Sequence, residues 1–229
     1  MSLFAIADLH LSLGTDKPMD VFSGWSDYVG RLKENWERLV TPEDTVVIGG
    51  DISWAMRLEE CFADFSFIHS LPGQKIFLKG NHDYWWQTKK KIEDYLALNG
   101  FDSIRILFNN AFEVGDYAVC GTRGWYYDKE GEHDIKVINR EIGRLKTSYS
   151  AALATGKRPI VFLHYPPVYG EVECGEIMAA LSELGVKTCY YGHLHGERTH
   201  RSAVQGTYKG IDFHLISCDY TRFVPVLVR

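Results

Sequence analysis

Five short blocks in this chain gather side chains that can hold a metal ion: Asp8-Leu9-His10, Gly50-Asp51, Gly80-Asn81-His82-Asp83, His164, and Gly192-His193-Leu194-His195. Carboxylate, amide and imidazole groups suit borderline divalent ions such as Zn, Mn and Fe. Cys61, Cys120, Cys174, Cys189 and Cys218 are scattered, odd in number and never spaced as C-x-x-C, so neither a thiolate zinc site nor a disulfide framework is expected. The blocks are not equally informative. A chain of this composition contains about 0.6 Asp-x-His triplets by chance, but only about 0.02 Gly-Asn-His and about 0.03 Gly-His-x-His. A single histidine is better read as a hydrogen-bonded structural residue; an ordered set of them is better read as ligands.

The elements that must position these groups are legible in the apolar pattern. Strand-like runs cover Leu3 to Ala7, Thr45 to Ile48, Lys75 to Leu78, Tyr117 to Cys120, Pro159 to Leu163, Lys187 to Tyr191 and Phe213 to Ile216. Amphipathic stretches of helical period cover Trp25 to Val40, Leu58 to His69, Thr88 to Leu98, Glu132 to Ala154 and Gly175 to Leu184. Val114 to Cys120 and Thr207 to Ile216 read as hairpins around Gly-Asp and Gly-Ile turns. The fold class is α/β, layered rather than barrel-like. All five blocks follow strand-like runs, and strand ends in α/β folds are where ligands bind. Residues two apart in an extended chain share a side, so Asp8 with His10 and His193 with His195 are expected to face one site from extended backbone.

Taken together, the ordered blocks resemble those of the calcineurin-like metallophosphoesterase superfamily and span nearly the whole chain. The resemblance implies an α/β/β/α sandwich with metal-binding loops at strand C-terminal ends and two divalent or mixed-valence metal ions (Mn, Fe or Zn). By that resemblance Asp8, His10 and His195 hold the first metal, Asn81, His164 and His193 the second, and Asp51 bridges both. His82 serves as the acid or charge stabiliser beside the substrate. Bridging has an independent rationale: two cations about 3.5 to 4 Å apart need a shared anionic ligand, which a carboxylate can be and an imidazole cannot. The implied reaction is hydrolysis of a phosphomonoester or phosphodiester by a metal-bridging hydroxide. The alternative is a non-catalytic metal-binding scaffold for protein interactions on the same fold. One departure narrows the analogy. Serine/threonine protein phosphatases of the superfamily carry an Asp and an Arg shortly after the bridging Asp, whereas Ile52-Ser53-Trp54-Ala55-Met56 follow Asp51 here. That subfamily is disfavoured, and the carboxylate that would orient His82 is lacking.

Substrate contact is expected from Arg123 and Arg57, whose planar forks match phosphate oxygens, and from the aromatic-rich segment Gly121 to Tyr127. Asp83 either orients His82 or caps a helix. His69, His133, His200 and His214 take structural roles, with His200 near enough to the last block to line the cleft. Trp85 and Trp86 are read as packing. With 229 residues, 45% of them hydrophobic and 24% charged, the chain suits one domain over residues 1–229, without linkers or repeats. A net charge of −5 argues against long nucleic acid as a partner, and the Lys89-Lys90-Lys91 run reads as a solvated helix face. No apolar stretch approaches the ~20 residues of a membrane span, and no secretory leader is evident, so a cytoplasmic protein acting on a small phosphate ester or nucleotide is expected.

Overall fold

The computed structural model describes residues 1–125 and 132–229, and in it the apolar runs become strands whose ends carry the polar blocks. In chain order the strands are β1 (Leu3–Ile6), β2 (Thr45–Ile48), β3 (Gln74–Phe77), β4 (Ile104–Ile106), β5 (Phe112–Val114), β6 (Tyr117–Thr122) and β7 (Arg158–Leu163). They continue with β8 (Val168–Tyr169), β9 (Val172–Glu173), β10 (Thr188–Tyr191), β11 (Gly206–Tyr208), β12 (Ile211–Leu215) and β13 (Val226–Leu227). The helices are α1 (Tyr28–Leu39), α2 (Phe62–Ser70), α3 (Lys89–Leu98), α4 (Glu132–Leu153), α5 (Gly175–Glu183) and the short α6 (Glu197–Arg201). Tyr126, Tyr127 and the His133 side chain lie outside what is described.

Two large sheets form, in the orders β13-β1-β2-β3-β4 and β11-β12-β10-β7-β6-β5, and β8 pairs with β9 in a small third one. In each large sheet the central strands run parallel, and antiparallel partners sit at the margins: β13 beside β1, β11 beside β12, β5 beside β6. Every residue of β1 and β2 is buried, as parallel strands covered on both faces must be. The sheets pack face to face through Leu3, Ala5, Val47 and Ile76 on one side and Val119, Ile160, Phe162 and Tyr190 on the other. α1, α2 and α3 cover the outer face of the first sheet, through residues such as Leu32, Trp36, Phe65 and Ile92. α4 and α5 cover the second, through Leu145, Tyr149, Ile177 and Leu181. The result is the expected α/β/β/α sandwich, and parallel pairing brings the C-terminal ends of several strands to one edge.

Differences from expectation have local causes. α1 starts at Tyr28 rather than Trp25 because Asp27 adopts a left-handed conformation (φ 47°), which α-helical backbone cannot continue. Leu58–Cys61 is a 3-10 turn leading into α2. Thr88 caps α3 by accepting from the Lys91 backbone N–H, so Asp83 is left for another role. The lysine run is paired along α3, Lys89 with Glu93 and Lys90 with Asp94. β4 and β13 were not anticipated; at three and two residues they are too short for periodicity to register. No helix among the described residues is long and apolar enough to cross a membrane.

Candidate metal centre

β1, β2, β3, β7 and β10 each deliver a block just past their last residue, as Asp8 and His10, Asp51, Asn81 and His82, His164, and His193 and His195. The backbone there is not extended, and the geometry expected for Asp8 with His10 and His193 with His195 is corrected. Asp8 (φ 62°), His10 (φ 46°), Asp51 (φ 50°) and His193 (φ 74°) all adopt left-handed conformations, which non-glycine residues rarely adopt. Tight turns at the strand ends, rather than pleating, aim these side chains inward. Such strain persists only where surrounding contacts over-determine it, and it concentrates at functional sites.

Those contacts are visible. Asp83 accepts hydrogen bonds from the backbone N–H groups of Asp51 (3.0 Å), Ile52 (2.9 Å) and Gly80 (2.7 Å), and from the Trp85 indole (3.0 Å). It therefore ties the β2 and β3 loops together; neither orienting His82 nor capping a helix is its part. The glycine of the Gly80-Asn81-His82 block is sterically required, since a Cβ at Gly80 would lie 2.0 Å from Asp51 Oδ1. Gly192 has a similar reason: a Cβ there would lie 2.5 Å from Asp8 Oδ2, and the Asp8 carboxylate accepts the next backbone N–H, that of His193, at 2.9 Å.

The inward side chains form two clusters, Asp8 with His10 and His195, and Asp51 with His164 and His193, each with ligand atoms within 4.8 Å of one another. Asn81 joins the second, its Oδ1 lying 2.7 Å from His164 Nε2 and 2.9 Å from His193 Nδ1. Asp51 Oδ2 lies between the clusters, 3.7 Å from His10 Nε2 and 3.5 Å from His164 Nε2. His10 Nε2 and His195 Nε2 face each other at 3.1 Å. His164 Nδ1 donates to the Gly49 carbonyl at 3.0 Å, which fixes the tautomer and turns the Nε2 lone pair into the site.

Burial dominates the charges. It holds His10 well below its ordinary pKa, His164 down to about 3 and His193 down to about 2, with neighbouring imidazoles adding to the effect. Burial pushes the Asp8 carboxyl up to about 8, against the lowering influence of His195 and with the charge of Asp51 adding to it. Asp51 is raised to about 6 by burial, opposed by the charge and the backbone N–H of His82. Burial lowers His195, but its bond to Asp219 and the charges of Asp8, Asp219 and Asp51 outweigh this and lift it to about 9. Neutral imidazoles and buried carboxyls that resist ionising are a donor set whose cost a divalent cation reverses. Donor types, convergence and tautomers all fit such ions.

His82 stands at the margin of the clusters, its backbone N–H donating to Asp51 Oδ1 at 2.8 Å. Its ring packs against Trp54 (centroids 4.6 Å apart), and Tyr84 Oη lies 3.4 Å from its Nδ1. These two aromatics thus flank the His82 ring. Arg123 contributes its backbone carbonyl to the His164 N–H (3.0 Å), while its guanidinium turns toward Trp125 (5.0 Å) and a small cavity with Lys79, Glu141 and Arg144. Arg57 is exposed at the turn before the 3-10 helix and does not line the cleft beside the clusters. His200 bonds to the Leu194 carbonyl (3.1 Å) rather than lining that cleft. Trp85 is fully buried against Phe65, as read.

Sequence reasoning missed Asp219. Its Oδ1 lies 3.0 Å from His195 Nδ1 and its Oδ2 accepts the Gly196 N–H at 2.9 Å, so it orients the His195 imidazole. It follows β12 much as the other blocks follow their strands, and that rule could have flagged it, but no paired motif marks it. Trp54, stacked on His10 with centroids 4.9 Å apart, was also passed over.

The chain's likeness to known proteins agrees with this geometry. It resembles the solved structure of a protein of unknown function from Aquifex aeolicus (TM-score 0.55, 16% identity, 99% of this chain and 95% of that one). It resembles the phosphopantetheinyl hydrolase of Mycobacterium tuberculosis similarly (TM-score 0.52, 15% identity, 99% and 95%). At these identities the likeness is one of fold. No curated protein matches the chain in sequence. The sequence pattern of calcineurin-like phosphoesterases matches residues 1–197, which contain both ligand clusters, and the chain belongs to that family.

Proposed function

We propose that the protein is a hydrolase of phosphate esters working with two divalent metal ions, on a phosphomonoester or a phosphodiester. The observation that carries this reading is Asp51 Oδ2, within 3.7 Å of a ligand nitrogen in each cluster, as one carboxylate shared between two cations must be. Asp8, His10 and His195 would hold one ion, Asn81, His164 and His193 the other. Bound there, the ions supply Lewis acidity toward phosphoryl oxygens and lower the pKa of water.

The chain's own residues do the rest. His82 faces the cleft beside His10, Trp54 limits its rotation, and Tyr84 Oη contacts Nδ1, which leaves Nε2 to give a proton to the departing alkoxide. The neutral imidazoles of His10, His164 and His193 offer lone pairs without first losing a proton. The continuous sheet pair supports reading residues 1–229 as one catalytic unit.

The test is metal content with hydrolysis of p-nitrophenyl phosphate and its bis-ester after loading with Mn, Zn or Fe. Wild type is expected to hold about two ions per chain, Asp51→Asn to lose metal and activity together, and His82→Ala to keep metal while kcat falls by about 10²–10⁴. Two bound ions without turnover of any mono- or diester, a phosphopantetheinyl ester included, would make the protein a scaffold.

A further inference from the structure

The first cluster opens into a cleft of about 430 Å³ walled by Met19, Phe22, Trp25 and Trp54, with His10 and His82 also facing it. That volume suits a small molecule. Resting on the phosphoesterase reading, we propose that the ester cleaved here carries an uncharged, apolar alcohol, which lies against these four side chains with its phosphate on the metal ligands.

Three observations carry this. The cleft adjoins His82, the residue poised over the leaving oxygen, so its walls touch the alcohol rather than a remote part of the substrate. Among the described residues no Lys or Arg lines it, and its acidic residue, Asp219, is committed to His195 and the Gly196 N–H. Lys17 lies over the Trp54 ring at 5.9 Å, outside the lining. A polyphosphate or nucleic-acid arm placed here would surrender hydration without gaining cations. Finally, Phe22, which lines the cleft, leaves 56% of its surface in water, apolar area that a ligand would cover. The basic alternative fails on space: the cavity lined by Lys79, Arg123 and Arg144 measures about 20 Å³, room for a water molecule and not for a phosphate.

Binding of n-alkylphosphonates from methyl to octyl to the metal-loaded protein, followed by tryptophan fluorescence, tests this whether or not any ester turns over. Affinity is expected to rise by about fourfold per methylene until the cleft fills. Phe22→Asp, at an exposed position that tolerates change, is expected to flatten the series. Phenylphosphonate set against hexylphosphonate tells a planar alcohol from a chain, and a gain for either over methylphosphonate supports the proposal. A flat series, or tighter binding of AMP than of octylphosphonate, overturns it. Loss of all ester hydrolysis with a steep phosphonate series would instead overturn the catalytic reading alone.

Discussion

Asp219 orients the His195 ring and so decides which of its nitrogens faces the first cluster. Held at 3.0 Å from Nδ1, it leaves Nε2 for the cluster and strengthens it as a donor. Asp219→Asn keeps the shape and removes the charge, so affinity for the ion beside Asp8 is expected to fall by about 10–100-fold, read by competition with a chelating dye. Asp219 escaped the sequence reading for the same reason. Residues that bind metal recur in tight motifs, because turns bring near neighbours together. A residue that steers a ligand is joined to it by folding alone, across 24 positions here. Arg57 shows the converse. Its guanidinium suits phosphate chemically, but the 3-10 turn points it to solvent, a direction that composition does not encode.

The loops that end the strands are shaped by steric exclusion. Gly80→Ala would drive a Cβ to 2.0 Å from Asp51 Oδ1, so metal loss together with lowered stability is expected. Gly143 lies on the exposed face of α4 with open space around its Cα, and Gly143→Ala is expected to raise stability by about 0.5–1 kcal/mol with metal content unchanged. Denaturant unfolding with metal analysis checks both. β3 carries a further load. Burial pushes the Lys75 ammonium down to about 8, partly opposed by the charge of Asp102, while its Nζ donates to the Leu71 and His69 carbonyls. Below pH 8 the folded chain bears the full cost of a buried charge. Between about 8 and the unfolded value of 10.5 the native state binds fewer protons than the unfolded one, so this contribution to stability improves as pH rises. The pH dependence of unfolding, wild type against Lys75→Met, should differ in that window. Strands and helices were legible because periodicity is a property of a dozen residues. The left-handed turns at Asp8 and His193 were not, because single-residue conformations leave no period.

At the scale of the molecule, both clusters draw on both sheets: Asp8, His10, Asp51 and Asn81 from the first, His164, His193 and His195 from the second. An ion bound there joins the sheets and is absent from the unfolded state, so it must stabilise the fold. At a hundredfold excess over Kd one ion contributes about 2.7 kcal/mol, and chelation is expected to lower Tm by about 5 to 10 °C. The sheets also share backbone hydrogen bonds, Ala7 N–H to the Ile216 carbonyl at 2.8 Å and Cys218 N–H to the Ala7 carbonyl at 2.9 Å. These link positions at opposite ends of the chain, as does Asp8 with His193, 185 residues apart. A ribosome therefore exposes most of the ligand set long before the partners that complete it. Until β10 and β12 emerge, Asp8 and Asp51 are carboxylates in water with ordinary affinity for any cation they meet. A complete set of candidate ligands therefore exists only once β10 has been made, long after Asp8 and Asp51.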